Sequence, residues 1–320
     1  MMVVVAGATG PLGVRLVARL VAEGHRVRIL TRRPFLAATR FGAEADIQEW
    51  HPGHEPAPVA ALAGASAVIH LMGAPLAAPA AHLWADPLER IRATRTASIE
   101  RLITGLGGRP VRLIIASVAP TSEVAGAVLT EASAGEAPAS QLRSAVLAWE
   151  AAAQAARATG VSVAIVRLGL ILAPGGALQT LVRLAGLGLR PDLAGRIVPA
   201  IDVEDAAAML SGLVARPDVE GPINGVAPEP MMGADLAQLL AGAQRVPMRL
   251  WAPRRVLQRR IGPLAPLLLN RARIVPQRLI EMGAGFEHPD PKASAQRAIE
   301  ALLAAPRQPR LPWLRRAETT

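Results

Sequence analysis

The 320-residue chain has no tyrosine and no cysteine, and Lys292 is its only lysine. Aromatic side chains make up just 2% of it. Each shortage removes a chemistry. Without cysteine there is no thiol nucleophile, no thiolate ligand and no disulfide, a composition compatible with a cytoplasmic location, which is expected here. Without tyrosine, no phenol can donate a proton. The skew toward alanine and arginine is best read as nucleotide bias in the coding genome, yet its chemical consequences hold whatever its origin. A long unbroken apolar helix is missing too. The longest stretch free of Asp, Glu, Lys and Arg, 56–85, is interrupted by prolines and glycines and carries His70 and His82, so no membrane span is expected. The apolar run after Met1 stops at Gly7, and Arg15 and Arg19 follow, which is not the pattern of a signal peptide.

Net charge is +10. The arginines are scattered along helical segments with few aromatics between them, so nucleic acid is not an expected partner. RRVLQRR at 254–260 is the best local candidate for an anionic partner. HPGHE, 51–55, brings two histidines and a carboxylate together across a Pro-Gly turn. No further ligand pair accompanies them, and no metal site is read.

Apolar residues reach 51%, enough for a sizeable core. Short β-branched runs at 3–6, 26–30, 67–72, 111–117 and 161–166 predict strands, with a weaker one at 45–50. Helical patterns lie between them at about 11–23, 87–106 and 142–160, then at 203–215 and 233–243. Strand–helix alternation at this spacing predicts a doubly wound parallel sheet, an α/β fold of the Rossmann-like kind, followed by a smaller C-terminal α/β lobe.

The first strand runs into VVVAGATGPLG, 3–13, where Gly7, Gly10 and Gly13 recur every third residue and a helix begins. A strand feeding a glycine-rich turn into a helix lets backbone approach a pyrophosphate, and the helix N-terminus offers unpaired N–H groups. Gly7, Thr9, Gly10, Leu12 and Gly13 are the candidate contacts. The second strand ends in ILTRRP, 29–34, with no acid to hold a ribose 2′-hydroxyl. Thr31, Arg32 and Arg33 suit a 2′-phosphate instead, so the expected cofactor is NADP(H).

With these motifs in place the chain resembles the extended short-chain dehydrogenase/reductase superfamily. More narrowly, it resembles the atypical epimerase-family branch with a DUF1731-type C-terminal domain. The matching stretches are GATGPLG, LTRRP, AVIHLMGAPLA (67–77), a pattern at Trp84, Ile91 and Arg95, LIIAS (113–117), WEAAA (149–153) and RLGLILAPGGAL (167–178). PINGVAPEP (222–230) and RIVPQRLIEMGAGFEHPD (273–290) complete the set. The resemblance implies an NADP(H)-binding domain over 1–170, completed by part of 196–225. It implies a substrate lobe with the DUF1731-like region over 171–304, ahead of a basic, proline-rich tail at 305–320. It also implies that Gly73 and Ala74 pass close to the cofactor and that Ser117 sits beside the nicotinamide, with a small-molecule substrate held between the lobes.

Most of that superfamily moves hydride with a Tyr-x-x-x-Lys pair, whose phenol serves as acid or base. Aligning LRSAVLAWE by Glu150 puts Leu142 and Val146 at those two positions, both in the apolar stripe of a helix. Ser117 is the candidate hydrogen-bond donor in place of the phenol, with Glu123 as a proton carrier. Asp202, Glu204 and Asp205 are alternative carriers, although carboxylates there also suit a helix N-terminus. Trp50 could stack on adenine, and a core position is the simpler expectation. Two readings follow: an oxidoreductase or epimerase without a tyrosine acid, or a non-catalytic NADP(H)-binding regulator or scaffold.

Overall fold

The computed structural model describes residues 1–76, 86–132, 140–186, 188–243, 250–252 and 261–305. In chain order the first half reads β1 (Met2–Ala6), α1 (Pro11–Ala22), β2 (Arg26–Thr31), α2 (Pro34–Phe41), β3 (Ala45–Glu49), a one-turn α3 (Val59–Leu62), β4 (Ala67–His70), α4 (Pro87–Leu106), β5 (Arg112–Val118), β6 (Val128–Leu129), α5 (Gln141–Ala155) and β7 (Ser162–Leu168). The second half reads β8 (Leu170–Leu172), α6 (Gly176–Ala185), β9 (Leu189–Pro191), β10 (Ile197–Val198), β11 (Ala200–Asp202), α7 (Val203–Gly212), β12 (Gly221–Gly225), β13 (Met231–Met232), α8 (Gly233–Gly242), β14 (Leu250–Ala252), α9 (Ala265–Leu268), β15 (Arg273–Ile274), α10 (Gln277–Glu281) and α11 (Pro291–Ala304). RRVLQRR at 254–260, Trp84, and the tail from 306 onward lie outside the described residues.

Seven strands form one sheet in the order β12–β7–β5–β4–β1–β2–β3, parallel throughout. The inner strands read as continuous apolar runs because helices cover both faces, and every residue of β5 is buried. Alternation sorts their side chains. Val3, Val5 and Ile114 share a core with Leu16 and Leu20 of α1 and Leu210 of α7. Val4, Leu113 and Ile115 share the other core with Ile99 and Leu102 of α4 and Trp149 of α5. That second core continues into Leu236, Leu267 and Ile299, so one apolar mass joins the sheet to the C-terminal helices.

Strand order reverses at β1. The chain passes to β2 and β3 on one side and returns to β4 on the other, which opens a crevice at the carboxyl ends of β1 and β4. Four small strand pairs lie outside the main sheet: β8 with β11, β9 with β14 and β6 with β15, all parallel, and β10 with β13, antiparallel. The doubly wound sheet matches the sequence expectation, with differences at element ends. The helix expected over 142–160 leaves α geometry at Ala155, tightens into a 3₁₀ turn over Ala156–Thr159, and ends at Gly160 with φ +82°. The short helix α2, the helices α6 and α11, and the edge strand β12 are not expected from the sequence, although α6 has a plain amphipathic stripe of Leu178, Leu181, Val182 and Ala185. Among the described residues, no helix is long and apolar enough to cross a membrane.

Candidate active site

The three glycines of the first turn do three different things. Gly7 has φ +90°, and a Cβ there would lie 2.9 Å from the backbone of Leu71 and Met72 after β4. Gly13, inside α1, brings helix and strand together: a Cβ would meet the Ala8 carbonyl oxygen at 2.4 Å. Gly10 has ordinary extended geometry (φ −77°, ψ 167°), and a Cβ there would touch no protein atom within 4 Å. Nothing in the fold itself therefore requires glycine at position 10. It is the N-cap of α1, where no side chain caps the helix, so the first amide N–H groups, including those of Leu12 and Gly13, face the crevice side of the turn. That combination fits an anionic diphosphate: a dipole end, free donors and a position where a methyl would intrude on the ligand alone.

At the end of β2, Thr31 is buried and its hydroxyl accepts the Arg33 amide at 3.1 Å. Arg32 and Arg33 are exposed just beyond it, and Arg33 is the N-cap of α2. In the last turn of α2, Arg40 donates to the Thr9 carbonyl, which ties α2 to the glycine turn. Sequence reasoning missed Arg40, because no local pattern links a helical arginine to a loop 31 residues earlier.

A cavity of about 240 Å³ lies at this end of the sheet. Its floor is the glycine turn (Gly7, Gly10, Gly13), and its walls come from Leu71, Pro75 and Leu76 after β4 and from Ala116–Val118 of β5. Leu168–Ile171, Gly175, Gly176, Leu264 and Leu267 close it from the C-terminal side. Gly175 sits against Pro11, whose Cγ a Cβ would reach at 2.9 Å. Gly73 is exposed at the edge, and the Ala74 amide donates to Thr94. Gly73 (φ +141°) gives room to Arg95 of α4, whose Cγ lies 2.5 Å from where a Cβ would stand.

Ser117 borders the cavity, and its hydroxyl is already engaged. It donates to Glu150 Oε1 at 2.6 Å and accepts from Trp149 Nε1 at 3.1 Å. Glu150 in turn receives both arms of Arg167, at 3.0 and 2.7 Å. The four side chains form one buried unit spanning β5, α5 and β7. The sequence names Ser117 as the hydrogen-bond donor in place of the phenol; in this structure its proton lies on Glu150, and one O–H proton cannot serve Glu150 and a substrate oxygen at once.

Leu142 and Val146, where the acid pair of the superfamily would be, are buried in the core with Ala145, Trp149 and Ala153. Glu123 is exposed and is not part of the cavity wall, so the proton-carrier role expected of it finds no support in the geometry. Asp202 caps α7 by accepting the Glu204 amide and pairs with Arg297. Glu204 pairs with Arg15. Asp205 accepts the amides of Glu287 and His288, while burial raises its pKa. Asp202 and Asp205 dock the C-terminal segment, and Glu204 ties the start of α7 to α1. His70 is buried with Nε2 on Ser98, and burial, with the nearby Arg95 charge, pulls its pKa down to about 3. Trp50 is fully buried and donates to the Glu55 carbonyl, a core position rather than an adenine platform. His51 of HPGHE pairs with Glu49.

Sheet order, an uncapped glycine turn at the first β–α junction and a cavity at the reversal point together define an NAD(P)-binding Rossmann protein. The chain belongs to the NAD dependent epimerase/dehydratase family, whose profile matches residues 3–220, and within it to the atypical extended short-chain dehydrogenase/reductases. It is 28% identical to the epimerase family protein SDR39U1 homolog, chloroplastic, of Arabidopsis thaliana, over 90% of this chain and 84% of that one. Its fold is similar to the crystal structure of human epimerase family protein SDR39U1 with NADPH (TM-score 0.72, 22% identity, 94% of this chain and 99% of that one). The fold is also similar to Thermus thermophilus UDP-glucose 4-epimerase in complex with NAD (TM-score 0.71, 16% identity, 96% and 100%).

Proposed function

We propose that the protein is an NADP(H)-dependent oxidoreductase of the epimerase type that works without a tyrosine acid. Its substrate is a small molecule held between the sheet and the residues that follow β7. The observation that carries the cofactor choice is the pair Arg32 and Arg33, exposed directly after the buried Thr31 at the end of β2, beside a phosphate turn braced by Arg40. The human structural neighbour, which has NADPH, is in line with that choice.

In this reading Gly7, Thr9, Gly10, Leu12 and Gly13 hold the pyrophosphate, while Thr31, Arg32 and Arg33 take the 2′-phosphate. Gly73 and Ala74 run alongside, and Ser117 stands at the reacting end. When bound, NADP(H) supplies or accepts hydride. The protein's part is to orient, to exclude water and to neutralise charge on the substrate oxygen. Ser117 contributes a proton only by turning off Glu150, so water is the proton source and turnover with ordinary carbonyls is slow. Residues 171–304 are assigned as the substrate lobe with a DUF1731-type region.

Calorimetry with NADPH and NADH is the first test, and NADPH should bind at least tenfold more tightly. Equal affinities would overturn the cofactor choice. NADPH consumption against a carbonyl panel is the second. Tight NADPH binding with no consumption of any substrate would replace the enzyme with a non-catalytic NADP(H)-binding regulator or scaffold.

A further inference from the structure

Arg95 is the one charged side chain in the cavity wall among the described residues. It reaches the site from α4, with its guanidinium carbon 5.2 Å from the Trp149 ring centroid. The indole beneath it also donates to Ser117. No carboxylate pairs with Arg95 among the described residues. Among the described residues its Nε, shielded from solvent, has no hydrogen-bond partner, and the one acceptor it reaches is the Met72 carbonyl, at a marginal 3.5 Å from Nη1. Burial without a counter-charge pulls its pKa down to about 10.

A desolvated cation without an anion costs stability. The other shielded guanidiniums are provided for: Arg167 is matched by Glu150, and the buried Arg112 donates to the Leu213 and Val219 carbonyls and to Ser162. The remaining wall is aliphatic, with Leu71, Leu76, Leu170, Ile171, Leu264 and Leu267, and its other polar side chain, Ser117, is committed to Glu150. A nucleoside-diphosphate sugar needs several donors for its phosphates and hydroxyls, and this wall supplies one guanidinium fork. A carboxylate matches that fork's planar donor geometry.

We propose that Arg95 is the anion-recognition residue of the cleft, and that its ligand is a small, otherwise apolar molecule bearing one carboxylate. The proposal rests on the cleft being the substrate site of the reading above. Arg95 holds the acid end, and the aliphatic wall holds the body.

The experiment is calorimetric titration of the NADPH-saturated full chain with hexanoate, hexanamide and UDP-glucose, repeated with Arg95→Met and Arg95→Lys. Hexanoate is expected to bind the wild type at least tenfold more tightly than hexanamide. Arg95→Met should abolish that preference and Arg95→Lys should keep part of it. NADPH affinity should stay within twofold in Arg95→Met, and its ligand-free Tm should equal or exceed that of the wild type, because an uncompensated charge is gone. Equal binding of hexanoate and hexanamide would overturn the proposal, as would UDP-glucose binding more tightly than hexanoate. A tenfold loss of NADPH affinity in Arg95→Met would also overturn it, by placing the cation on the cofactor. A fall in that variant's Tm would make Arg95 a structural strut and overturn it as well. If NADPH itself fails to bind the wild type, the cofactor reading falls. The hexanoate titration without NADPH then still decides the role of Arg95.

Discussion

Substituting the three turn glycines one at a time by alanine separates what the fold needs from what a ligand needs. At Gly7 an alanine must adopt φ +90°, which costs about 1–2 kcal/mol, and its methyl presses on the Leu71–Met72 backbone at 2.9 Å. Overpacking adds roughly 1–3 kcal/mol, so Gly7→Ala should lose about 2–5 kcal/mol. At Gly13 the helix would gain up to about 1 kcal/mol in propensity. Against that, the methyl would stand 2.4 Å from the Ala8 carbonyl, a backbone atom with nowhere to go; with overpacking at roughly 1–3 kcal/mol, a net loss of up to about 2–3 kcal/mol follows. At Gly10 the backbone is ordinary and the methyl meets no protein atom. A small gain from restricting the unfolded chain opposes the loss of a good N-cap residue, so stability should stay within about 1 kcal/mol of the wild type. NADPH affinity should nonetheless fall at least a hundredfold, and Gly10→Val should abolish it. Urea denaturation gives the stabilities and calorimetry gives the affinities. A Gly10→Ala protein that is stable and binds NADPH normally would refute the assignment of the turn as the phosphate cradle.

Replacing Arg32 and Arg33 together by alanine should weaken NADPH binding by about 1.5–3 kcal/mol, roughly 10- to 150-fold, and leave NADH binding unchanged by calorimetry. Glu150→Ala should cost about 3–5 kcal/mol in urea denaturation. It strands Arg167, whose side chain is only 13% exposed, and a loss below 1 kcal/mol would show that the unit is not cohesive. Ser117→Ala should lose about 1–3 kcal/mol of stability, because Trp149 Nε1 is left unpaired, and should slow NADPH consumption no more than about tenfold. A 10³-fold drop would mean that the hydroxyl leaves Glu150 during reaction. His70, neutral in the folded state with its pKa near 3, takes a proton only on unfolding when the pH drops below about 6.5. Its contribution is fully present above pH 6.5 and is lost as pH falls toward 3, about 2 kcal/mol by pH 5. A His70→Gln variant should lack that share of the pH dependence.

The sheet was legible because its inner strands are buried on both faces, so Val3–Ala6 and Arg112–Val118 announce themselves by composition alone. The glycine turn was legible because close packing at Gly7 and Gly13 demands glycine at short, regular spacing, and short spacing survives in a linear reading. Arg32 and Arg33 stand out for a related reason, since they follow directly on the end of β2, and their meeting with a 2′-phosphate is part of the proposal. Element ends were less so: the change from α to 3₁₀ geometry at Ala155 and the pairing of β12 with β7 depend on contacts between distant segments. The proton chemistry was the least legible part. A serine at the end of β5 looks free until Glu150, 33 residues on, is seen to hold its proton, and Glu150 is accounted for only once Arg167 reaches it from β7. Arg95 reverses the case. In the sequence it is one arginine among many on a charged helix, and its character comes from what is missing around it in space. Sequence periodicity reports which face of a helix is buried. It carries no term for whether a charge on that face has been left without a partner, and in this cleft that distinction separates a strut such as Arg167 from a residue poised for a ligand.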